Sequence, residues 1–134
     1  MIVVDTNVLV YAVRPGEQTD LALQALRRDP DWLAPEFWRL EMLNVLSLFV
    51  RVEGMERSAA GEAFAAAESL VEDLPMSSSA DEVLRLTHQA TISAYDAEFV
   101  LAAERLALPL VSADRQLARR VPRTVVSLER FATG

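Results

Sequence analysis

What most constrains this chain is its alternation. β-branched or apolar runs of only three or four residues recur between amphipathic helical stretches, with turn or capping residues at the junctions. Ile2-Val3-Val4, Trp32-Leu33-Ala34, Pro75-Met76-Ser77, Leu110-Val111-Ser112 and Thr124-Val125-Val126-Ser127 read as five strands. Strands separated by helices pair in parallel, because a parallel neighbour needs a crossover connection, and the sheet is then covered on both faces. The expectation is one three-layer α/β/α domain over residues 1–134, built on a central parallel sheet of about five strands. With 51% hydrophobic residues, a chain of this length has enough apolar surface for one core.

The helices follow from capping and breaking residues. Asp5-Thr6-Asn7 offers caps for a helix through Val13, which Arg14-Pro15-Gly16 ends. A second helix is expected from Glu17 to Arg28. A third runs from Glu36 to Val52, opened by Pro35 and stopped near Gly54, and an alanine-rich fourth runs from Ser58 to Asp73. Ser79 or Asp81 starts the next, Ser93 caps a helix over 94–107, a short one covers 114–120, and a last helical turn follows the fifth strand.

Composition removes whole classes of chemistry. The absence of cysteine excludes disulfides, thiol catalysis and Cys-type zinc sites, and the single histidine, His88, lies in a polar stretch that makes histidine catalysis a poor explanation. No apolar run approaches the roughly 18 residues of a membrane span, and the first basic residue is Arg14, so no membrane partner and a cytoplasmic location are expected. The net charge of −7 argues against a phosphate-binding surface overall, but the charge is uneven. Residues 1–104 carry 7 Arg against 18 acids, net −11; residues 105–134 carry 6 Arg against 2 acids, net +4. The run holding Arg115, Arg119 and Arg120 is either a solvated helix face or a guide for a phosphate backbone, for which arginine is the better bidentate ligand.

Four acids stand where packing does not explain them. Asp5 and Asp114 directly follow, or nearly follow, apolar strands. Each could be an ordinary helix N-cap, but both fall at the C-terminal ends of parallel strands, where open α/β sheets bind ligands. In the helix over 36–52, at about 100° per residue, Glu41 falls among Phe37, Val45, Leu48 and Val52, away from Arg39, Asn44, Ser47 and Arg51. Asn44, one turn on, is either a border residue or a partner that orients the Glu41 carboxylate. Asp96 completes a Ser93-Ala94-Tyr95-Asp96 capping box, yet shares a stripe with Phe99, Val100, Ala103 and Ala107 that faces the sheet. If the first and fourth strands are neighbours, these carboxylates approach one another and require a cation or a retained proton. Oxygen ligands without histidine favour Mg²⁺ or Mn²⁺ over zinc.

The segments VVDTNVLVYA at 3–12, PEFWRLEMLNVL at 35–46 and YDAEFVLAAERLALPLVSADRQL at 95–117 together resemble the PIN-domain ribonucleases, especially the VapC toxins of prokaryotic toxin–antitoxin pairs. The resemblance implies that Asp5, Glu41, Asp96 and Asp114 are the family's acidic quartet, with Thr6, Asn7 and Ser112 as polar support. It also implies strand order 3-2-1-4-5, a divalent metal, endonucleolytic cleavage of RNA, dimerisation, and inhibition by a small antitoxin. A further acid found in some relatives beyond Asp114 has no counterpart here, because Gln116 and Leu117 follow Arg115. The expected chemistry is metal-assisted hydrolysis with Asp5, Asp96 and Asp114 as ligands and Glu41 holding water or acting as base, leaving a 5′-phosphate and a 3′-hydroxyl. Arg115, Arg119 and Arg120 would guide the strand. The helix over 58–73 and exposed parts of 36–52 are candidate dimer surfaces, whereas Tyr11, Trp32, Phe37, Trp38 and Tyr95 fall at core-like positions and define no base preference.

Two rival readings remain. Asp5-Thr6-Asn7 also resembles the haloacid-dehalogenase phosphatases, but Asn7 stands where that family has a second aspartate, and the chain has no lysine for its basic position. The other rival is a non-catalytic module that binds RNA or a protein.

Overall fold

Val3 and Val4 at the centre of the sheet lose all contact with water, and the elements around them follow from covering that centre. The computed structural model describes all of residues 1–134. In chain order the elements are β1 (Ile2–Val4), α1 (Thr6–Val13), α2 (Thr19–Arg28), β2 (Trp32–Pro35), α3 (Trp38–Glu53), α4 (Arg57–Leu70), β3 (Val71–Leu74), α5 (Ala80–Ala90), α6 (Ala94–Leu106), β4 (Leu110–Ser112), α7 (Arg115–Arg120), β5 (Val125–Ser127) and α8 (Leu128–Thr133). The five strands form one parallel sheet in the order β3-β2-β1-β4-β5. The chain winds outward from β1 to β3, then returns to pair β4 on the other side of β1. With right-handed crossovers, this reversal places helices on both faces and opens a crevice between the C-terminal ends of β1 and β4. No helix is long and apolar enough to cross a membrane.

The central strands β1, β2 and β4 are buried along their whole length. Edge strand β3 is not, with Glu72 and Asp73 exposed. That difference explains the main correction to the sequence reading. The third strand is Val71–Leu74, not Pro75-Met76-Ser77, and α4 ends at Leu70 instead of running on to Asp73. Val71-Glu72-Asp73-Leu74 has no apolar run of its own. It is extended because it pairs with Trp32 through Pro35 of β2, and because the Glu36 N–H donates to the Leu74 carbonyl at 2.9 Å. Asp73 then accepts from Trp38 Nε1 at 2.7 Å and Arg39 Nε at 2.9 Å, which fastens the start of α3 to β3. Pro35 is therefore the last residue of β2 and not the opening of a helix; two turn residues separate it from α3. Likewise α2 begins at Thr19, two residues later than Glu17.

A second correction concerns α3. Its core stripe is Trp38, Met42 and Leu46, whereas Leu40, Leu48 and Val52 are 71%, 48% and 69% exposed. The apolar sector in which Glu41 was placed is thus partly open surface, and burial of that sector is not what sets Glu41 apart. On the other face of the sheet, Phe99, Val100 and Ala103 of α6 are buried as expected, while Ala107 is the exposed, left-handed C-cap of that helix. Gly54, with φ +73°, ends α3 in the same left-handed conformation.

Candidate active site

Asp5 and Ser112 lie one residue beyond the last register pair of β1 and β4, Val4 with Val111. Both are buried, Asp5 at 7% exposure and Ser112 at 0%. The Ser112 hydroxyl donates to Asp5 Oδ2 at 2.7 Å, and the Thr6 N–H donates to Oδ1 at 2.8 Å. Asn7 bridges the same strand ends: its Oδ1 accepts the Ala113 N–H at 3.1 Å, and its amide reaches Asp5 Oδ2 and Ser112 Oγ, each at 3.4 Å. Ser112 Oγ also accepts the Asp114 N–H at 3.0 Å. The three polar residues after and between the strands therefore form one network that fixes Asp5 and the turn leading to Asp114.

Around this floor the remaining acids arrive from separate elements. Glu41, on the first turn of α3, accepts the Thr6 hydroxyl at 2.7 Å. Asp96, on the first turn of α6, has its N–H capped by Ser93 Oγ at 3.1 Å, the backbone half of the anticipated capping box. Asp114 is exposed and caps α7, with Oδ1 accepting from the Gln116 and Leu117 N–H groups at 2.9 and 3.2 Å. All four line one cleft of about 630 Å³ together with Thr6, Asn7 and Asn44. No arginine lines it, and none of the six ion pairs in the molecule includes any of the four acids.

The electrostatics follow from that isolation. Burial pushes the Asp5 carboxyl up from 3.8 to about 7; the Ser112 hydrogen bond opposes the shift, and the nearby Asp96 and Glu41 charges add to it. Burial also raises Glu41, against the Thr6 hydrogen bond and with repulsion from Asp96. Asp96 is raised by burial first and by Asp114 second. As they stand, no three acidic or histidine side chains converge tightly enough to hold a metal ion. Asp5, Glu41 and Asp114 are each turned to a hydroxyl or N–H partner within the protein. The donor set is nonetheless of one chemical kind, hard oxygen ligands with no cation to neutralise them, which fits Mg²⁺ or Mn²⁺.

Other expected residues divide. Thr6, not Asn44, is the hydrogen-bond partner of Glu41; Asn44 is exposed, lines the cleft, and uses its backbone carbonyl to accept from Ser47. Arg115 turns away to Glu129 at 2.8 Å, and Arg119 does not line the cleft. Arg120 donates to the Thr91 carbonyl and lines a smaller hollow that Asp96 and Asp114 also border, so of the three arginines it is the one beside the acids. Sequence reasoning missed Tyr95. Its ring is 62% exposed on the cleft rim, not in the core. The available signal was its position one residue before Asp96, about 100° around the helix from the stripe that faces the sheet.

An α/β protein with an acidic cleft at the point where its strand order reverses is the class that this fold and cleft define. More narrowly, the PIN domain model matches residues 2–122, and the chain belongs to the PIN domain family, a family of nucleases. The fold is also similar to the crystal structure of PAE2754 from Pyrobaculum aerophilum, with a TM-score of 0.78 and 21% identity over 98% of this chain and 85% of that one. No curated protein matches.

Proposed function

We propose that this protein is a Mg²⁺-dependent endoribonuclease, with Mn²⁺ as an alternative ion, and that it is the toxin of a type II toxin–antitoxin pair. The observation that carries the nuclease reading is the gathering of Asp5, Glu41, Asp96 and Asp114 on one cleft that no basic residue lines. An uncompensated acidic cleft repels a phosphodiester, so the substrate and the carboxylates need a shared divalent cation. Asp5, Asp96 and Asp114 would hold it, and when bound it polarises the scissile phosphate and neutralises charge that builds there in the transition state.

The chain's own residues supply the rest. Ser112, Asn7 and the Thr6 N–H hold Asp5 at the floor. Thr6 fixes Glu41, whose raised proton affinity suits it to take a proton from the attacking water. The new P–O bond forms from water as the bond to the 3′-oxygen breaks, leaving a 5′-phosphate and a 3′-hydroxyl that gains its proton from solvent. Arg120, at the end of α7 and beside the acids, would meet the backbone of the strand, with Arg115 and Arg119 of the same helix as further guides.

The test is cleavage of single-stranded RNA by the purified protein with Mg²⁺, with Mn²⁺ and with chelator, the ends being mapped. Cleavage that survives unchanged in Asp5→Asn or Asp96→Asn protein overturns the reading. Co-purification with the product of an adjacent short gene tests the antitoxin, and sedimentation of the pure protein tests the homodimer. One observation favours a second reading, a non-catalytic RNA- or protein-binding module: Asp5, Glu41 and Asp114 each already accept a hydrogen bond from the protein's own hydroxyl or N–H groups. Calorimetric titration with Mg²⁺ and Mn²⁺ separates the two, since a pure binding module takes up no ion at a defined stoichiometry.

A further inference from the structure

The acid cleft has a second wall that the hydrolysis does not use. Phe37, Leu40 and Tyr95 line it beside Glu41 and Asp96, and two of these apolar side chains are open to solvent, Leu40 at 71% and Tyr95 at 62%. A large aromatic ring left on the surface beside a polar site is more informative than scattered exposed apolar residues. This ring is also braced. The Tyr95 and Phe37 ring centroids are 6.0 Å apart at an interplanar angle of 53°, and Phe37 meets the buried ring of Phe99 edge-on at 5.2 Å and 71°. The three rings therefore run from the core, through the half-buried Phe37, to the cleft rim. The Tyr95 hydroxyl makes no hydrogen bond within the protein, so no polar contact accounts for the placement of the ring.

From this we infer that Tyr95, supported by Phe37, is a stacking platform for the base of an unpaired nucleotide flanking the scissile phosphate. The inference rests on the nuclease reading for the position of that phosphate, at the four carboxylates. A nucleotide bound there projects its base away from the charged floor, and the adjacent surface offers it the aromatic face of Tyr95, with no basic residue on the cleft lining. Stacking needs an exposed π-face on the base, so the platform selects single-stranded or bulged RNA over duplex. It also supplies attraction that does not depend on positive charge, on a protein of net charge −7.

The experiment uses a short single-stranded RNA with 2-aminopurine at each position in turn, titrated into full-length Asp5→Asn protein so that turnover does not interfere. Fluorescence is expected to be quenched at one flanking position, in the Tyr95 protein and in the Tyr95→Phe variant alike. Tyr95→Ala is expected to lose the quench and to weaken RNA binding by about tenfold or more, the size of one base–aromatic stack. With an abasic nucleotide at that position, Tyr95 and Tyr95→Ala proteins are expected to bind equally. In otherwise unmodified protein, Tyr95→Ala should raise KM by a similar factor with little change in kcat.

Equal quenching and affinity with Tyr95→Ala overturn the platform, as does an equal loss on intact and abasic RNA. Loss of a protein partner by Tyr95→Ala with RNA binding intact overturns it too, and assigns the ring to a protein contact. The two readings fail separately. Tyr95-dependent quenching without cleavage by the unmodified protein sinks the nuclease reading alone, and cleavage indifferent to Tyr95 sinks the platform alone.

Discussion

Two depressions flank helix α3, and they are built in opposite ways. The acid cleft takes residues from the end of β1, from α1, α3 and α6 and from the turn after β4, and at its floor Asp5 meets Ser112, far away in sequence, at 2.7 Å. The other, a groove of about 410 Å³, lies between the consecutive helices α3 and α4, with Leu43, Leu46, Val50, Ala60 and Phe64 on its walls and Arg51 and Arg57 on its lining. Polar groups in the cleft are fixed by cross-element hydrogen bonds; the groove is shaped by packing such as the stacked rings of Trp38 and Phe64, 5.4 Å apart. One helix thus faces the acid cleft on one side and an apolar groove on the other. Disturbing the cleft should change activity and its dependence on pH, and disturbing the groove should change stability alone.

The largest effect to break this contrast is at Asp5. Asp5→Asn should reduce metal-dependent cleavage by about 10³-fold or more, measured as single-turnover rate. The same variant should also change the pH profile of stability. Because the folded-state carboxyl is raised from 3.8 to about 7, the folded protein binds more protons than the unfolded chain between those values, so Asp5 makes the metal-free protein less stable as pH rises from about 4 to about 7. The slope levels off above that range and sums to at most about 4 kcal/mol. Chemical denaturation of both proteins across this range checks it, and an identical pH dependence would rule it out.

Next in size, Glu41→Gln should lower kcat by about 10²-fold while leaving the melting temperature within a few degrees, since the Gln carbonyl can still accept from Thr6. In the groove, Phe64→Ala should cost about 2 kcal/mol of stability through the lost stack on Trp38, with the cleavage rate per folded molecule unchanged. A comparable loss of rate in that variant would show that the two sides of α3 are not independent. The smallest effect is expected at Thr6→Val, which frees Glu41: about tenfold in kcat and about 1 kcal/mol in stability, the worth of one hydrogen bond.

The two strand ends show how much of this was legible in the chain. Asp5 and Asp114 announced themselves because each follows a short apolar run and caps a helix, both of which are local properties. Asp96 was visible for the same reason, through Ser93. Glu41 was singled out by helical angle, but the angle pointed to a sector that proves partly exposed, and what distinguishes Glu41 is its contact with Thr6, 35 residues away. Edge strand β3 was misplaced because half its face meets water, so its residues carry no apolar signature, and pairing with β2 outweighs the helical bias of the alanine-rich stretch before it. The arginines looked equivalent as a run of charge. Only the packing of α7 and α8 separates Arg115, held by Glu129, from Arg120 beside the acids.

By itself, then, the chain determines the alternation of strand and helix and the helix caps at Asp5, Ser79, Ser93 and Asp114, because each depends on residues within a turn or two of one another. The tertiary structure alone decided that Ser112 and Asn7 lock Asp5, that Thr6 rather than Asn44 holds Glu41, and that Tyr95 opens onto the cleft. Those outcomes depend on which strands lie side by side and on how each helix is rotated over the sheet. The same cause raises the proton affinity of Asp5: burial and the approach of two other carboxylates are properties of an assembled pocket, and no single segment contains them.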